Sequence, residues 1–241
     1  MAVAVSAVAW RGGALRLSGA VAAAGVGALT LIGAGWMGGA VLMAFFLPST
    51  AISRLWPAAA SAADPKGDRR DAWQVLANGG IPALAVALGG LPGAMAFAAG
   101  LTAAAADTWA TAVGAHSRTP PRHILTTRVV SPGTSGGVTV LGTVGAAAGA
   151  ALVAIAAVPL VGLRGAALAF AIGMGGMVLD SALGAGVQGR FHCDNCDRPS
   201  EWKMHRCGRA TRWLGGRPWI TNDGVNALAS LAASVAGWAA Y

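Results

Sequence analysis

Three aspartates lie within, or at the start of, long apolar segments, where a charged side chain is unusual. Asp107 and Asp180 each interrupt such a segment, and Asp223 stands where the last apolar segment begins. A carboxylate at membrane depth costs about 2.5–3.5 kcal/mol on insertion scales, so intramembrane acids usually serve a function. Mg²⁺ is bound in proteins by one or two carboxylates together with substrate phosphates. We therefore predict that these three acids are catalytic and that Asp107 and Asp180 hold Mg²⁺.

Two other interpretations of the buried acids stay open at this point. Asp107 and Asp180 would also fit a structural role, in which each accepts hydrogen bonds from neighbouring helices. Transporters use intramembrane acids as proton or ion relays, without any nucleotide. The residues around the acids are needed to choose between these chemistries.

A glycine-rich loop with the sequence Pro-Gly-Thr-Ser-Gly-Gly runs from Pro132 directly into an apolar segment. Glycines allow backbone N–H groups to approach an anion, and the N-terminus of a helix favours negative charge. The loop lacks the Gly-Lys-Ser/Thr ending of a P-loop, and a helix start capped by Ser or Thr would give the same pattern. The phosphate contacts predicted here are Gly133, Thr134, Ser135, Gly136 and Gly137.

Other polar residues at the ends of apolar segments complete the predicted site. An arginine guanidinium binds phosphate through paired, charge-assisted hydrogen bonds, which suits the phosphates of a nucleotide. The further candidates for nucleotide or phosphate binding are Arg70, Asn78, Arg122 and Arg128. The candidates that would support the acids from neighbouring positions are Thr108, Thr111, Ser181, Asn222 and Asn226.

Three cysteines and a histidine lie close together in the polar segment 190–217. Cys193 and Cys196 have the C-x2-C spacing, and His205 is followed two residues later by Cys207. Thiolate and imidazole at such spacings suit tetrahedral Zn²⁺, and a metal would help to fix a segment too short to have its own core. We predict a zinc knuckle in this segment, with reduced cytoplasmic thiols as the alternative.

The composition of the 241-residue chain is that of a membrane protein. Hydrophobic residues make up 55% of it and charged residues only 11%, against about 25% charged residues in soluble domains. The net charge of +8 would suit a nucleic-acid binder, but the basic residues cluster in short loops between apolar segments, which is the positive-inside pattern. We therefore predict a single integral membrane domain, residues 1–241, with no nucleic acid as a partner.

Apolar segments of membrane-spanning length predict the fold class. A transmembrane helix needs about 20 predominantly apolar residues, and longer segments must tilt or turn back. We predict an all-α, polytopic transmembrane bundle of about 6–7 membrane helices, with a small cytoplasmic Cys/His loop. The segments are 20–47, 81–115, 138–163, 165–189 and 224–241.

Glycines and prolines predict where the chain turns. Segment 81–115 is long enough for two helices hinged near residues 89–93, and Gly79-Gly80 predicts a bend just before it. Segment 20–47 fits either one tilted span or a re-entrant hairpin that returns the chain to the same side. Only the hairpin keeps Arg11 and Arg16 on the side of the other basic loops.

Three basic loops, 48–71, 116–130 and 190–217, are separated by even numbers of predicted crossings. All three can therefore lie in the cytoplasm, as the positive-inside rule requires. Asp107 and Asp180 then fall at the same membrane face as the glycine-rich loop. We predict a single site that faces the cytoplasm, in a bacterial-type inner or plasma membrane.

Seven short segments in a fixed order make the chain similar to a known family. They include Ala-Asp-Thr-Trp-Ala-Thr at 106–111, and the full set is 15–20, 74–80, 106–111, 132–138, 180–185, 193–208 and 222–226. This ordered set resembles the integral membrane family, long of unknown function, that includes the plastid phytyl-phosphate kinase. The resemblance covers nearly the whole chain.

The resemblance implies a CTP-dependent prenyl-phosphate kinase, which transfers a phosphoryl group to an isoprenoid monophosphate and gives the diphosphate. It implies that Asp107, Asp180 and Asp223 are the acidic positions and that residues 134–137 contact phosphate. CTP, the isoprenoid monophosphate and membrane lipid are the expected partners, and Mg²⁺ is the expected cofactor beside structural Zn²⁺. A lipid-phosphate cytidylyltransferase and a non-enzymatic transporter remain alternatives. The prenyl chain length, the nucleotide preference and the oligomeric state stay open.

Overall fold

The computed structural model describes residues 1–56, 69–200, 202–205 and 207–241. Residues 57–68 of the predicted polar loop, which include Asp64, Lys66 and Asp68, lie outside the described residues. The helices are α1 (Ala2–Arg11), α2 (Leu17–Leu55), α3 (Ala72–Ala87), α4 (Gly90–Gly114), α5 (Val140–Gly186) and α6 (Asn222–Ala239). The strands are β1 (Arg122–His123), β2 (Gly137–Val138), β3 (Arg190–Cys193), β4 (Arg198–Ser200) and β5 (Arg212–Gly215).

Helix α5 contains 47 residues, but the chain reverses its direction inside it. Gly162 has the angles φ 71° and ψ 173°, and this positive φ favours glycine. Before Gly162 the contacts run backwards along α4, and after Gly162 they run forwards. The facing pairs are Gly142 with Ala110, Gly149 with Ala105, Gly165 with Met95, and Gly173 with Thr102. The two halves of α5 therefore correspond to the predicted segments 138–163 and 165–189, with Arg164 at the turn.

Helix α2 reverses in the same way at Gly35, where φ is 53° and ψ is −144°. A Cβ at Gly38 would lie 3.2 Å from the carbonyl oxygen of Thr30. Eight residues of a straight helix span about 12 Å, so this contact requires the chain to fold back. Of the two arrangements that the sequence left open for 20–47, the hairpin therefore describes this segment.

The hairpin returns the chain to the end of the molecule where the basic residues lie. The Arg16 N–H donates to the carbonyl of Arg70 at 2.9 Å, and the Arg70 N–H donates to the carbonyl of Ala14 at 3.1 Å. A Cβ at Gly13 would lie 3.5 Å from Nη2 of Arg54. Both ends of α2 and the start of α3 therefore meet, which removes the conflict over the N-terminal arginines.

The hinge predicted near residues 89–93 is confirmed, whereas the bend at Gly79-Gly80 is wrong. Helix α3 ends at Ala87, and Gly89, with φ 84°, is the N-cap of α4. Gly79 lies inside α3, where a Cβ would be 3.2 Å from Cγ1 of Val26 in α2. This glycine serves close helix packing instead of a change of direction.

Small residues fill much of the interior of the bundle, and many large apolar side chains face outward. Helix α4 is central, because Gly93 and every residue from Met95 to Ala106 are buried. In contrast, Leu163 is 77% and Val140 is 79% exposed. This distribution suits a bilayer, where Ala and Gly let helices approach closely and large apolar side chains contact lipid. Helices α2 and α5 are each long and apolar enough to cross a membrane, and the number of crossings stays a prediction.

Two small sheets lie in the polar segments of this mostly helical chain, where the sequence predicted loops. Strands β1 and β2 pair antiparallel between α4 and α5. Segment 190–217, predicted as a loop, contains a three-stranded sheet in the order β4-β3-β5. The Arg217 N–H donates to the carbonyl of Val187 at 2.9 Å and closes the base of this sheet. The Cys/His segment is therefore a compact unit held between the end of α5 and the start of α6.

Candidate active site

A small cleft lies among α3, α4, α5 and α6, near the end of the bundle where the polar segments attach. It brings together four residues that were predicted for one site. They are Asn78 from α3, Asp107 from α4, Asp180 from the second half of α5, and Asn226 from α6. The remaining lining residues are Ala103, Ala104, Gly176, Ala229 and Ser230. The two predicted Mg²⁺ ligands therefore share one cleft.

Small residues bring the helices close enough to form the cleft. A Cβ at Gly176 of α5 would lie 2.7 Å from the Cβ of Ala103 in α4 and 3.4 Å from the Cβ of Ala233 in α6. A larger residue at position 176 would push α5 away from both neighbours. Asp180 follows one helical turn later on the same face and is only 8% exposed. Close packing at Gly176 thus fixes the depth of the Asp180 carboxylate.

The polar atoms of the cleft are mainly oxygens. Within the described part of the chain, Asn226 Oδ1 and Ser230 Oγ are buried without a hydrogen-bond partner. Such groups are rare in native structures, because an unsatisfied buried oxygen is costly. Together with the carboxylates of Asp107 and Asp180, they form an oxygen donor set of the kind that Mg²⁺ prefers. The residues of the cleft therefore fit a hard cation.

Ser230 is a residue of the cleft that was not predicted from the sequence. Its hydroxyl lines the cleft, one turn after Asn226 on the same face of α6. The signal in the sequence is the spacing of four between Asn226, Ser230 and Ser234 along an otherwise apolar helix. A lone serine in an Ala-rich helix is too common for this signal to stand out.

Trp109 belongs to the Ala-Asp-Thr-Trp-Ala-Thr motif at 106–111, but it was not predicted as a residue of the site. Its Nε1–H donates to Ser49 Oγ at 3.1 Å, which ties α4 to the second half of α2. On its other side, a Cβ at Gly149 would lie only 2.7 Å from the Cγ of Trp109. The indole is thus wedged between two elements, two residues after Asp107. Trp109 is a positioning residue for the end of α4 that carries the acid.

Several predicted residues do not line the cleft. Helix α6 begins at Asn222, two residues earlier than expected, and the Thr221 hydroxyl caps it by accepting from the Gly224 N–H at 3.3 Å. Asp223 therefore lies in the first turn, about 4.5 Å of helix rise before Asn226. The residues outside the cleft are Thr108, Thr111, Ser181, Asn222 and Asp223. Their roles in the site stay predictions.

The glycine-rich loop packs against α5 beside the cleft. A Cβ at Gly136 would lie 2.8 Å from the carbonyl oxygen of Ser181 and 2.8 Å from the Cα of Ala185. Only a glycine allows this approach, and φ at Gly136 is 76°. The loop therefore touches the residue that directly follows Asp180.

The geometry of the glycine-rich loop differs from the prediction. Gly137 does not begin a helix: it pairs in β2, and Thr139 is the N-cap of α5. Two loop amides are used within the loop, because the Thr134 N–H donates to Ser131 and the Gly137 N–H donates to Thr134. The loop therefore leads into a short strand, and the prediction that it runs directly into a helix is wrong. Phosphate contact by Gly133, Thr134, Ser135, Gly136 and Gly137 stays a prediction.

The predicted arginines lie on two different sides of the molecule. Arg122 and Arg128 are exposed, and Arg122 Nη1 donates to the carbonyl of Thr127 at 3.0 Å. Their segment is joined to the glycine-rich loop, since the Ile124 N–H donates to the carbonyl of Gly136 at 2.9 Å. Arg70 instead lies beside α2, away from this loop.

Cys193, Cys196, His205 and Cys207 come together in segment 190–217, with all their ligand atoms within 4.8 Å of one another. Sγ of Cys207 lies 3.7 Å from Sγ of Cys193 and 3.2 Å from Nδ1 of His205. The hydrogen bond from His205 is the main reason that the pKa of Cys207 falls to about 6, and the thiolate is the form that binds metal. Three sulfurs and one nitrogen at this spacing fit tetrahedral Zn²⁺.

Comparisons with known proteins agree with this architecture. Residues 1–234 match the family described as Integral membrane protein DUF92. An uncharacterized membrane protein of Methanocaldococcus jannaschii is 32% identical over 149 residues, which cover 60% of this chain and 63% of the archaeal protein. Protein PGR of Arabidopsis thaliana is 27% identical over 83% of this chain and 80% of its own length. No solved structure matches the chain. Since the family match covers almost the whole chain, this protein belongs to the DUF92 family of integral membrane proteins.

Proposed function

We propose that the protein is a membrane-embedded, CTP-dependent kinase that converts an isoprenoid monophosphate into the diphosphate. The observation that carries the proposal is the cleft in which Asp107 and Asp180 lie beside the unpartnered oxygens of Asn226 and Ser230. Buried carboxylates with additional oxygen donors suit a Mg²⁺–phosphate site. A purely structural role for the acids would leave the two orphaned oxygens unexplained.

In this proposal Asp107 and Asp180 would hold Mg²⁺, with Asn226 and Ser230 as further oxygen ligands. Bound Mg²⁺ would neutralise the phosphate charges during the transfer. The terminal phosphoryl group of CTP would pass to a phosphate oxygen of the prenyl monophosphate, leaving CDP. The acceptor phosphate is already largely ionised at pH 7, since its second pKa is about 6. The cleft therefore needs no strong general base, which agrees with the absence of histidine among its lining residues.

The nucleotide phosphates would approach from the glycine-rich loop. This loop contacts the carbonyl of Ser181, next to Asp180, and it is joined by backbone hydrogen bonds to the segment that carries Arg122 and Arg128. Exposed guanidinium groups can bind phosphate oxygens in pairs. Asp223 lies one turn before Asn226, and it would act as a further catalytic acid at the same side of the cleft.

The distribution of positive charge supports a cleft that faces the cytoplasm. Among the Lys and Arg residues that the structure describes, only Arg164 lies at the end of the bundle opposite the cleft, beside the turn at Gly162. The remaining ones lie near the start of α2 or in the segments that follow α4 and α5. The positive-inside rule assigns such an end to the cytoplasm. The proposal accordingly includes about 6–7 crossings of a bacterial-type inner or plasma membrane.

The Cys/His segment would carry a structural Zn²⁺. Its four candidate ligands lie close together. The three strands of its sheet contain eleven residues, too few to form a hydrophobic core of their own. The segment links the end of α5 to the start of α6, the two helices that supply Asp180 and Asn226. A metal there would hold the two helix ends at a fixed separation.

Product analysis with the purified wild-type protein tests the proposed reaction. The protein in detergent would be incubated with Mg²⁺, labelled CTP and a panel of prenyl monophosphates, beside a sample without lipid. The proposal predicts lipid-dependent CDP and a prenyl diphosphate. Pyrophosphate with a CMP-lipid would instead identify a cytidylyltransferase. No turnover by a folded protein would contradict the enzyme and favour the transporter.

A further inference from the structure

A second and larger cavity lies on the other side of α3. We call it the α1–α3 groove: it is bounded by α1, both halves of α2, and α3, and its walls are mostly apolar. Representative lining residues are Ala23, Leu31, Leu42 and Phe46. None of the cleft acids lines it. The groove is therefore suited to a hydrocarbon chain and has no part in holding the metal.

The length of the groove fits one leaflet of a bilayer. Its polar end is at Arg70, whose carbonyl faces Gly19 at the start of α2, and its far end reaches Leu31. Twelve residues of helix separate these levels, a rise of about 18 Å. Half of the hydrocarbon core of a bilayer is roughly 15 Å thick. A single linear chain together with its headgroup, inserted from the cleft end of the bundle, would fit this depth.

The polar end of the groove carries the positive charge of Arg70. The guanidinium of Arg70 lies 5.9 Å from the ring centre of Phe45 and 5.8 Å from that of Phe46. Within the described residues its side chain makes no hydrogen bond or ion pair. Burial lowers the pKa of Arg70 to about 10, so the group stays charged at neutral pH while it loses hydration. An anionic headgroup would supply the missing partner.

One face of α3 connects the groove to the carboxylate cleft. Gln74 and Asn78 lie four residues apart on this face, Arg70 lies two residues before the helix begins, and all three line the groove. Asn78 also lines the cleft with Asp107 and Asp180. It is thus a residue at which the two cavities meet. A headgroup held along this face would lie at the edge of the metal site.

We propose that the α1–α3 groove holds the single hydrocarbon chain of the isoprenoid monophosphate, with its phosphate bound between Arg70 and Asn78. This assignment rests on the proposed function for the identity of the lipid. The groove is the binding site of the acceptor substrate, and the glycine-rich loop lies on the opposite side of the cleft for the nucleotide. The two substrates therefore meet at Asp107 and Asp180 from different directions.

Photocrosslinking tests this site without requiring turnover. The probe is a geranylgeranyl monophosphate with a diazirine in its chain, added to the full-length protein in nanodiscs without CTP. The labelled peptides would be mapped with and without excess unlabelled geranylgeranyl monophosphate. We expect competable labels on α1, α2 and α3 near Ala23 and Leu42. Labels elsewhere, or none that the competitor removes, would overturn the assignment.

Matched variants sharpen the test. Ala23→Phe fills the groove, whereas Ala28→Phe makes the same change at an exposed position on the same half of α2. Arg70→Gln removes the charge at the polar end of the groove, and Arg69→Gln removes the charge of the exposed neighbouring residue. We expect Ala23→Phe and Arg70→Gln to weaken labelling by about tenfold or more, as for loss of a charge-assisted contact. Equal effects within either pair would contradict the site. If Ala23→Phe does not fold, the wild-type map and the arginine pair decide.

The outcomes separate this inference from the kinase proposal. Groove labelling in a protein that shows no turnover would leave the lipid site standing and overturn the kinase. Turnover with labels mapped elsewhere would overturn the lipid site and leave the kinase proposal standing. Equal competition by dioctanoyl phosphatidic acid, which has two acyl chains, would overturn the assignment to an isoprenoid monophosphate.

Discussion

At the scale of single residues, the central feature is a set of oxygens contributed by several helices. Asp107 and Asp180 were predicted because a charge in an apolar segment is unusual, whatever the fold. Asn226 was predicted from its place near the start of the last helix. Ser230 was missed, because a serine costs little in a helix and carries no comparable signal. Charged residues in an apolar segment could be found from the sequence. A small polar residue that lies beside them, such as Ser230, could be found only from the structure.

Ser230→Ala is the most direct test of this donor set at the residue scale. The change removes one hydroxyl from the cleft, so we expect the Mg²⁺ concentration for half-maximal turnover to rise about tenfold, as for loss of a supporting ligand. Ser234→Ala is the control, since Ser234 is also buried on α6 but does not line the cleft. Identical Mg²⁺ titrations of the two variants would exclude Ser230 from the metal site.

At the scale of elements, glycines decide how the helices meet. The hinge between α3 and α4 was predictable, because glycine and proline occur together there. The reversal at Gly35 was not, since Gly33, Gly38 and Gly39 give the same sequence signal within a few residues. The strands of segment 190–217 are at most four residues long, and polar stretches separate them. Such short strands depend on tertiary contacts, so the sequence alone indicated only a loop.

Gly149→Ala tests the wedge that holds the end of α4. The added Cβ would meet the Trp109 ring at 2.7 Å, and overpacking of this kind costs about 1–3 kcal/mol. We expect a lower thermal unfolding midpoint in detergent. Gly175→Ala, at a helical position with open space around it, should cause no loss. A midpoint for Gly149→Ala equal to that of the wild type would show that Trp109 is free to move.

Metal analysis tests the Cys/His segment as a structural element. We expect about one Zn²⁺ per chain in the wild type, from the four-ligand set, and loss of most of it in Cys193→Ser, since Cys193 is one of the four converging ligands. His192→Gln should keep its zinc, because His192 lies 3.2 Å from Asp197 instead of in the cluster. Removal of zinc by a chelator should make the segment sensitive to proteases. A purified wild type that neither contains nor takes up zinc would refute the site.

At the scale of the whole molecule, the fold brings nearly all described polar elements to one end. Even numbers of crossings between the basic loops were enough to predict this, without knowledge of any helix contact. The hairpin in α2 extends the same arrangement to Arg16, whose backbone bonds to Arg70. The division into a carboxylate cleft and an apolar groove on opposite sides of α3 could not be predicted. It depends on which face of α3 each neighbouring helix covers.

The orientation of the molecule gives a prediction at this scale. A site for a specific protease would be inserted after Thr119, in the segment following α4, or after Arg164, at the opposite end. In sealed inside-out vesicles we expect cleavage after Thr119 only, and in right-side-out vesicles cleavage after Arg164 only. Cleavage at both sites from the same side would contradict a membrane crossing by the first half of α5.

Turnover by Asp107→Asn and Asp180→Asn in the CTP and prenyl-monophosphate assay tests most directly whether the cleft is the active site. The control is Asp197→Asn, an exposed residue with φ 49°, a conformation that asparagine also tolerates. We predict a loss of more than about 100-fold in both cleft variants, comparable to removal of a key charge-stabilising group, with unchanged folding and full activity in the control. Cleft variants that are folded and as active as Asp197→Asn would contradict the assignment of the cleft as the active site.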